Sequence, residues 1–404
     1  MNGWRNLWCD QRLLVAVFVL LAIIISVDKY YRRPLVLAGS AVTRYNNYVI
    51  FKNAGEHLAN NQDMYQAWPT EQWDLYKYSP TFAAAMWPFT LVPDLVGLCV
   101  WNVAGALALL YALRALPLSA QATAGAAWIV LKDLVTNLQN AQSNGLVAAV
   151  MILSCVYWER KRLAAAALAL SWAFYIKIFG VAVALLWLLY PAKMKSAAWV
   201  VGVGTVLAIA PLLLTTPDIL AQQYDSWLNM LSNDHANSLG MSVMGIMSAW
   251  FGIQGHKSIT VLIAGLILVA PLVRRSQYAN PQFRLGMLAS VLMWVVLFNH
   301  KAESPTFVIA SSGVAVWFVS RPITLLNSVL LALTVLLSGF ASSDLVPDWI
   351  QDQLIERYQV KALPSFLVWL KLQCELWLSR SAVETTTNNQ DAPQSRDVAL
   401  LRAA

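Results

Sequence analysis

The chain has 404 residues, of which 58% are hydrophobic and 12% charged, with a formal net charge of +7. So apolar a composition exceeds what a soluble core needs and is typical of a polytopic membrane protein. The positive charge does not indicate nucleic-acid binding, because Lys and Arg stand in small groups at the ends of apolar runs and not on one basic face. The four cysteines have no ligand-like spacing, so neither a disulfide framework nor a zinc site is expected.

Apolar runs in chain order predict twelve membrane spans, with an error of about two. The runs cover residues 13–27, 95–113, 119–131, 145–158, 163–176, 178–190, 197–214, 258–273, 285–298, 305–319, 323–340 and 364–378. Several are shorter than the ~20 residues that an upright span needs, so some are expected to tilt or merge. The first run is interpreted as a retained anchor helix, because no small-residue cleavage pattern follows it.

The predicted fold class is therefore an all-α polytopic membrane protein of about 10–13 transmembrane helices. Residues 1–378 are expected to form one integral-membrane domain. Residues 379–404 are polar and poor in hydrophobic side chains, which predicts a disordered cytoplasmic tail.

Basic residues predict the orientation of the chain. With the N-terminus in the cytoplasm, Arg114, residues 160–162 and residues 274–275 fall on the cytoplasmic side, as the positive-inside rule requires. Residues 215–240, which contain no Lys or Arg, then face outwards. Residues 29–33 oppose the rule, although charges in long loops count for less. We expect a protein of the bacterial inner membrane whose active face is towards the periplasm.

The segment 44–89, which follows the first predicted span, is polar and rich in aromatic residues. It is longer than a connector between spans needs to be, which favours a functional loop. Residues 81–93 are interrupted by prolines and too short to cross, so they are expected to lie at the surface as a juxtamembrane helix. The candidate site residues of this loop are Asn46, Asn47, Lys52, Trp73, Asp74, Tyr76, Lys77 and Tyr78.

The link 132–144 carries a cluster of carboxamide side chains on the same predicted outer face. The candidates are Gln139, Asn140, Gln142 and Asn144. Each amide offers donors and acceptors, so the cluster favours a surface that binds sugar hydroxyl groups. The alternative is an ordinary solvated turn with helix caps.

Two further candidates stand at the ends of apolar runs. Lys177 lies between two such runs, and an ammonium near hydrocarbon is costly unless it meets water or an anion. The alternative is a lysine that snorkels to the interface. The second is the link F-N-H-K-A-E-S-P, where Asn299, His300, Lys301 and Glu303 combine a titrating imidazole, a cation and a carboxylate. Here the alternative is a charged helix junction.

Four blocks of the sequence resemble glycosyltransferase family 87. They are N-N-Y-V-I-F-K-N-A at 46–54, D-L-Y-K-Y-S-P-T-F-A at 74–83, L-Q-N-A-Q-S-N at 138–144 and F-N-H-K-A-E-S-P at 298–305. The resemblance runs from the first span to about residue 340. It implies a C-type glycosyltransferase fold, whose members typically take a sugar from a polyprenyl-phosphate donor on the outer side of the membrane. Its better-known members are mannosyltransferases that act on lipid-linked glycans.

The chain departs from the family pattern at Asn47, where the family commonly has the Asp that is taken to be the base. An amide cannot accept a proton at neutral pH, so the base must be another group. Asp74 and Glu303 are the replacements that we consider, with His300 as a further titrating group. Alternatively, this lineage binds a lipid-linked sugar without turning it over.

The leading hypothesis is a membrane hexosyltransferase, mannosyltransferase-like, that moves a sugar from a polyprenyl-phosphate donor to a lipid-linked or envelope-glycan acceptor. Lys77, Lys177 and Lys301 would stabilise the phosphate without a metal or other cofactor, and the lipid tail would lie beside residues 81–93. The alternatives are a transporter or flippase of a lipid-linked sugar and a non-catalytic lipid-sugar-binding protein. The sugar, the acceptor and the stereochemical outcome stay open.

Overall fold

In this computed structural model, the structure describes residues 8–37, 40–233, 238–340, 349 and 357–378. The predicted tail 379–404 lies outside the described residues. Most of the described residues lie in helices, which confirms the all-α prediction. Strand structure among the described residues is confined to a short hairpin in which β1 (Leu35–Leu37) pairs antiparallel with β2 (Ser40–Val42).

The helices are numbered in chain order. Those of the first half are α1 (Gln11–Tyr31), α2 (Asn46–Ala59), α3 (Pro80–Met86), α4 (Asp94–Ala115), α5 (Ala120–Gln139), α6 (Asn144–Glu159) and α7 (Leu163–Ile176). Those of the second half are α8 (Lys193–Ile209), α9 (Pro217–Asn233), α10 (Val243–Phe251), α11 (Lys257–Val269), α12 (Pro281–Leu297), α13 (Phe307–Val319), α14 (Leu325–Leu333) and α15 (Ala362–Leu378).

Tighter helical segments extend or connect these helices. The 3-10 segments are Trp87–Leu91, Ile178–Leu189, Ala210–Leu213, Ala270–Val273, Arg275–Gln277 and Ser304–Thr306, and Thr334–Phe340 is a π-helix. Side-chain caps explain several starts: the side chains of Asp10, Ser79 and Ser119 accept backbone N–H groups at the beginnings of α1, α3 and α5.

The exposure of apolar helices shows that the chain is a multi-pass membrane protein. Three helical segments are long and apolar enough to cross a bilayer: Gln11–Tyr31, Asp94–Ala115 and Lys193–Leu213. In the last of these, 11% of the most apolar window is buried, so its other side chains need a hydrocarbon solvent. Seven further apolar helices among the described residues are shorter. The predicted count of twelve spans stays a prediction.

The centre of the molecule is the pair α12 and α13, which pack against each other and are buried along almost their whole lengths. α13 also packs on α5 and α6, while α1 packs on α4 and α7 on α8. The link between α12 and α13, residues 298–306, is therefore held at both ends by the best-packed part of the core. This rigid support positions the polar residues of the link.

Two expectations about the polar segments were wrong. The link predicted at 132–144 is mostly helix, because α5 continues to Gln139 and leaves a short turn before α6. Residues 215–240 and the segment 44–89, which we call the opening loop, were expected to be loops, but they contain α9 and α2. Short helices do occupy residues 81–93, as predicted, and α3 packs on α2. At Gly55 a Cβ would lie 2.6 Å from the backbone N of Trp87, so this contact requires glycine.

Candidate active site

A polar cavity of about 340 Å³ lies where α2, the loop before α3, the end of α7 and the link after α12 meet. We call it the central cavity. Its ionisable and amide lining residues are Asn47, Asp74, Lys77, Lys177, Asn299, His300, Lys301 and Glu303, and Ile50, Phe51, Tyr78, Phe179 and Leu231 are among its apolar and aromatic ones. Three of the four segments that the sequence placed on one face, together with Lys177, are thus brought to one point.

Lys177 enters the cavity because α7 ends there. Its backbone is extended, with φ −142° and ψ 120°, and the next helical segment starts at Ile178. A Cβ at Gly180 would lie 2.4 Å from the carbonyl oxygen of Ala173, so glycine permits this tight junction. The ammonium lies 5.4 Å from the centre of the Tyr78 ring and 5.8 Å from that of Phe179.

The ammonium of Lys177 is incompletely compensated by the protein. Within the described part of the chain, no hydrogen bond or ion pair is formed by its Nζ atom. Burial lowers the pKa of Lys177 to about 8, while Glu303 acts in the opposite direction and Lys77 adds to the lowering. An anion bound in the cavity would stabilise this ammonium in place of the water that burial has removed.

The two carboxylates of the cavity differ in their partners. Asp74 accepts hydrogen bonds from the backbone N of Leu75 (2.7 Å) and from Nζ of Lys77 (2.9 Å). Glu303 is exposed to the cavity and forms no ion pair within the described residues. It lies near enough to Lys177 and Tyr78 to influence their titration. Asp74 is thus already bound to an ammonium, whereas the Glu303 carboxylate faces the cavity without one in the described part of the chain.

Tyr78 forms the wall between the cavity and the turn after α5. Its hydroxyl donates to Oε1 of Gln142 (3.1 Å), and its carbonyl accepts from the hydroxyl of Tyr65 (2.7 Å). The neighbouring Ser79 donates from Oγ to the carbonyl of Tyr175 (2.6 Å), which ties the loop to the end of α7. Burial raises the pKa of the Tyr78 phenol well above its ordinary value. Tyr78 therefore remains neutral and offers a ring and a hydroxyl.

Asn47 and Asn46 hold the segments of the cavity together. Nδ2 of Asn47 donates to the carbonyl of Asn140 (2.9 Å), which joins α2 to the turn after α5. Oδ1 of Asn46 accepts from the backbone N of Trp73 (3.1 Å), which fixes the loop before α3. Asn47 lines the cavity, whereas Asn46 does not.

Most hydrogen bonds formed by the side chains of the predicted carboxamide cluster are to backbone groups. Asn137 donates to the carbonyl of Gln142 (3.0 Å) and accepts from the backbone N of Gly145 (3.3 Å), and Asn140 donates to the carbonyl of Thr136 (2.9 Å). Asn144 is 1% exposed, and Gln139 is partly buried at the end of α5. None of these amides lines the central cavity, so the alternative of a turn with helix caps describes this segment better.

Three candidates of the opening loop also lie outside the cavity lining. Lys52 forms an ion pair with Asp94 at 2.8 Å, which binds α2 to the start of α4. Tyr76 is fully buried and its hydroxyl donates to the carbonyl of Ser79 (2.8 Å), so a stacking role towards a sugar is not available to it. Trp73 is 45% exposed and borders the loop without lining the cavity.

A buried ion pair beneath the link 298–306 escaped the sequence analysis. Nζ of Lys361 lies 3.8 Å from Oδ1 of Asp133, with both side chains almost fully buried, and donates to Oγ of Ser304 (2.7 Å). The ammonium also lies 5.0 Å from the centre of the Phe307 ring. The indication of this pair in the sequence is Asp133, an isolated carboxylate on an apolar helix. Because the sequence predicts a polar link at 132–144, a carboxylate at this position did not stand out as buried.

An apolar groove of about 1,030 Å³ adjoins the cavity and shares Phe179, Asn299 and His300 with it. Its other walls are α11 and one side of α12, with Trp294, Leu262 and Val295 among the lining side chains. Within the described residues, no three His, Cys, Asp or Glu side chains form a group fit to hold a metal ion. The arrangement thus offers cations and a carboxylate beside a route for an apolar chain.

Comparison with known proteins assigns the family. Among solved structures, that of ArnT from Cupriavidus metallidurans bound to undecaprenyl phosphate is similar, with a TM-score of 0.45 and 12% identity over 94% of this chain and 80% of that chain. No curated protein matches the chain in sequence. The sequence model of glycosyltransferase family 87 matches residues 76–298, more than half of the chain, and the protein therefore belongs to this family of membrane glycosyltransferases.

Proposed function

We propose that the protein transfers a hexose from a polyprenyl-phosphate donor to a lipid-linked or envelope-glycan acceptor at the periplasmic face of a bacterial inner membrane. The observation that carries the proposal is that a cavity lined by cations adjoins an apolar groove, and the two share the lining residues Phe179, Asn299 and His300. A polyprenyl-phosphate sugar has a long apolar chain, one negative charge and a sugar, and the two spaces match these three parts in order.

The phosphate belongs beside Lys177. This ammonium is desolvated and has no hydrogen-bonding partner in the described part of the chain, whereas Lys77 is bound to Asp74. Lysine acts on a phosphate as a point charge, and a low local dielectric strengthens that interaction. As the bond to the anomeric carbon breaks, charge grows on the phosphate oxygens, and Lys177 would stabilise it with Lys77 and Lys301 at the rim.

The polyprenyl tail is placed in the apolar groove between α11 and α12. The groove is open, and its walls include the side chains of Trp294, Leu262 and Val295. These apolar side chains favour contact with a hydrocarbon chain over contact with water. This position differs from the sequence-based expectation, which put the tail beside residues 81–93. Residues of α3 such as Phe82 and Met86 are instead buried against the protein.

Glu303 is proposed as the general base. The oxygen of an acceptor hydroxyl attacks the anomeric carbon and its proton passes to the Glu303 carboxylate. The bond from the anomeric carbon to the phosphate oxygen breaks, and polyprenyl phosphate leaves with both electrons of that bond. Tyr78 and Asn47, which line the cavity, would hold the sugar ring and its hydroxyl groups.

The test is transfer of a radiolabelled hexose from polyprenyl phosphate by the purified chain in liposomes that carry envelope lipids and glycans as acceptors. We expect Glu303→Gln to lower the rate by about 10²–10⁴-fold, the range for general-base catalysis. Asp225→Asn is the matched control, because Asp225 is an exposed carboxylate on α9 that does not line the cavity. Wild-type rates in Glu303→Gln would remove this residue from the mechanism.

Asn47 favours a second candidate, a lipid-sugar-binding protein without turnover. Its amide lies in the cavity, where it cannot take up a proton, and it is engaged with the Asn140 carbonyl. Tight binding of the donor without transfer to any acceptor would support this candidate against the transferase.

A further inference from the structure

A second polar cavity lies on the other side of Glu303. It has a volume of about 490 Å³ and is lined by segments 238–249, 302–304 and 357–359. We call it the Arg357 cavity. Glu303 lines both this cavity and the central cavity, so one carboxylate stands between the two spaces.

The walls of the Arg357 cavity are fixed to one another by backbone contacts. The backbone N of Met241 donates to the carbonyl of Ala302 (2.8 Å). Gly240 has φ +58°, and a Cβ there would lie 2.8 Å from the carbonyl oxygen of His300, so glycine is required at this approach. The segment 238–242 is thereby held against the link that carries Glu303.

The third wall is held in a similar way. Nε1 of Trp250, at the end of α10, donates to the carbonyl of Tyr358 (2.8 Å). Oγ of Ser304, another lining residue, accepts from the buried Lys361 (2.7 Å), which lies two residues after Gln359 of the third wall. The cavity is therefore a built feature with three mutually anchored walls.

The charges that line this cavity define the chemistry of a ligand. Arg357 contributes a guanidinium, which lies 5.7 Å from the centre of the Tyr358 ring and forms no ion pair within the described residues. Guanidinium groups recognise phosphate and carboxylate through paired hydrogen bonds. Ser238 and Ser248 add hydroxyl groups to the lining. A ligand with an anionic group and free hydroxyl groups satisfies all of these partners.

We infer that the Arg357 cavity is the acceptor site and that it takes a hydroxyl-bearing acceptor with a phosphate or carboxylate group. This inference rests on the proposed transferase function. An acceptor held there by Arg357 presents a hydroxyl group beside the Glu303 carboxylate, which lines both cavities. The hydroxyl oxygen bonds to the anomeric carbon of the donor sugar and its proton passes to Glu303. The bond from the anomeric carbon to the phosphate oxygen breaks, and polyprenyl phosphate leaves with both electrons of that bond.

The test measures protection of an introduced thiol and does not require the natural acceptor. In a full-length chain whose four cysteines are replaced by alanine, Ser248→Cys reports on the Arg357 cavity and Leu231→Cys on the central cavity. Labelling rates with a small thiol reagent are measured with glycerol 1-phosphate and with vesicles of phosphatidylglycerol. Glycerol, and vesicles of phosphatidylcholine that contain diacylglycerol, are the controls that offer hydroxyl groups without a net charge.

We expect at least one anionic ligand to slow labelling of Ser248→Cys by about tenfold, while the neutral controls leave it unchanged. Protection by glycerol 1-phosphate alone indicates a soluble acceptor, and protection by phosphatidylglycerol a lipid-linked one. Adding Arg357→Ala should abolish the protection and Arg357→Lys should retain part of it, because the charge remains. Absence of protection by both anions, equal protection by the neutral controls, or full protection in Arg357→Ala overturns the inference.

A separate measurement distinguishes this inference from the proposed function. Undecaprenyl phosphate should slow labelling of Leu231→Cys, and it should do so in Arg357→Ala as well, which also shows that this variant is folded. If that protection is missing in the otherwise unaltered chain, the donor assignment fails whatever happens at Ser248→Cys. If it is present and the anions leave Ser248→Cys unprotected, the acceptor site alone is refuted.

Discussion

Lys177 gives the sharpest prediction, because its charge state changes within an accessible pH range. Burial lowers its pKa from 10.5 to about 8, so the site disfavours the ammonium relative to the neutral amine by at most about 3 kcal/mol compared with water, a cost that cavity water reduces by screening. About nine tenths of the molecules carry the ammonium at pH 7 and about one tenth at pH 9. If the ammonium binds the donor phosphate, kcat/KM for the donor should fall about tenfold between these pH values.

The assay is hexose transfer at limiting donor concentration between pH 6 and pH 10, because kcat/KM reports the titration of the free protein. Lys177→Arg keeps its charge throughout this range, so its profile should be flat above pH 7. Lys177→Met has no charge at any pH and should be slow and equally flat. If the alkaline fall persists unchanged in Lys177→Arg, another group titrates and Lys177 does not hold the phosphate.

The charge of Lys177, which should favour activity at neutral pH, should lower the stability of the folded protein at the same pH. The folded-state pKa of Lys177 lies below that of the unfolded chain, so keeping the side chain charged costs stability below pH 8. This cost is relieved as the pH rises from 8 towards 10.5. Lys177→Met should therefore raise the unfolding midpoint in detergent at pH 7, and the gain should vanish near pH 10. A lower midpoint at pH 7 would contradict the idea of an uncompensated ammonium.

Three further predictions follow from single contacts. Asp74→Asn should slow transfer by less than about tenfold, much less than Glu303→Gln, because Asp74 is held by Lys77; an equal loss in both would return Asp74 to the list of bases. Asp133→Asn should lower the free energy of unfolding by about 3–5 kcal/mol, and the double variant Asp133→Leu with Lys361→Met should regain most of it, as measured by denaturation in detergent. Gly180→Ala should disturb the end of α7, because its Cβ meets the Ala173 carbonyl, and should reduce donor binding by more than about tenfold. Unaltered donor binding in Gly180→Ala would show that the junction tolerates change.

The helices were predictable from the sequence because the length of an apolar run is a local property. The run at 163–176 coincides with α7, that at 145–158 agrees with α6 to one residue at each end, and that at 285–298 agrees with α12 to within four residues. The helices in polar segments were not predicted, because this approach detects only helices that contain an apolar run. α9 is buried along one face and α2 around most of its circumference, and neither carries a long apolar run that would mark it in the sequence.

The sequence predicted which segments meet at the candidate site, but it did not predict which side chains of those segments line the cavity. Tyr76 and Tyr78 are two residues apart in the same motif, yet one is fully buried and the other lines the cavity. The partner of Lys52 is Asp94, and that of Lys361 is Asp133, and neither pair is visible in local sequence. Long-range ion pairs depend on how helices pack, which the order of residues alone does not specify.

The charges that line the central cavity would balance the proposed donor both before and after reaction. Three lysines and two carboxylates line it, so with a neutral imidazole the lining has one excess positive charge. A polyprenyl phosphohexose is a phosphodiester with one negative charge, which balances this excess. Transfer releases a monoester of nearly two negative charges at pH 7, while Glu303 becomes neutral by taking the hydroxyl proton. The cavity therefore stays close to electrically balanced through the reaction. An Asp in place of Asn47 would add a further carboxylate and break this balance unless it became protonated.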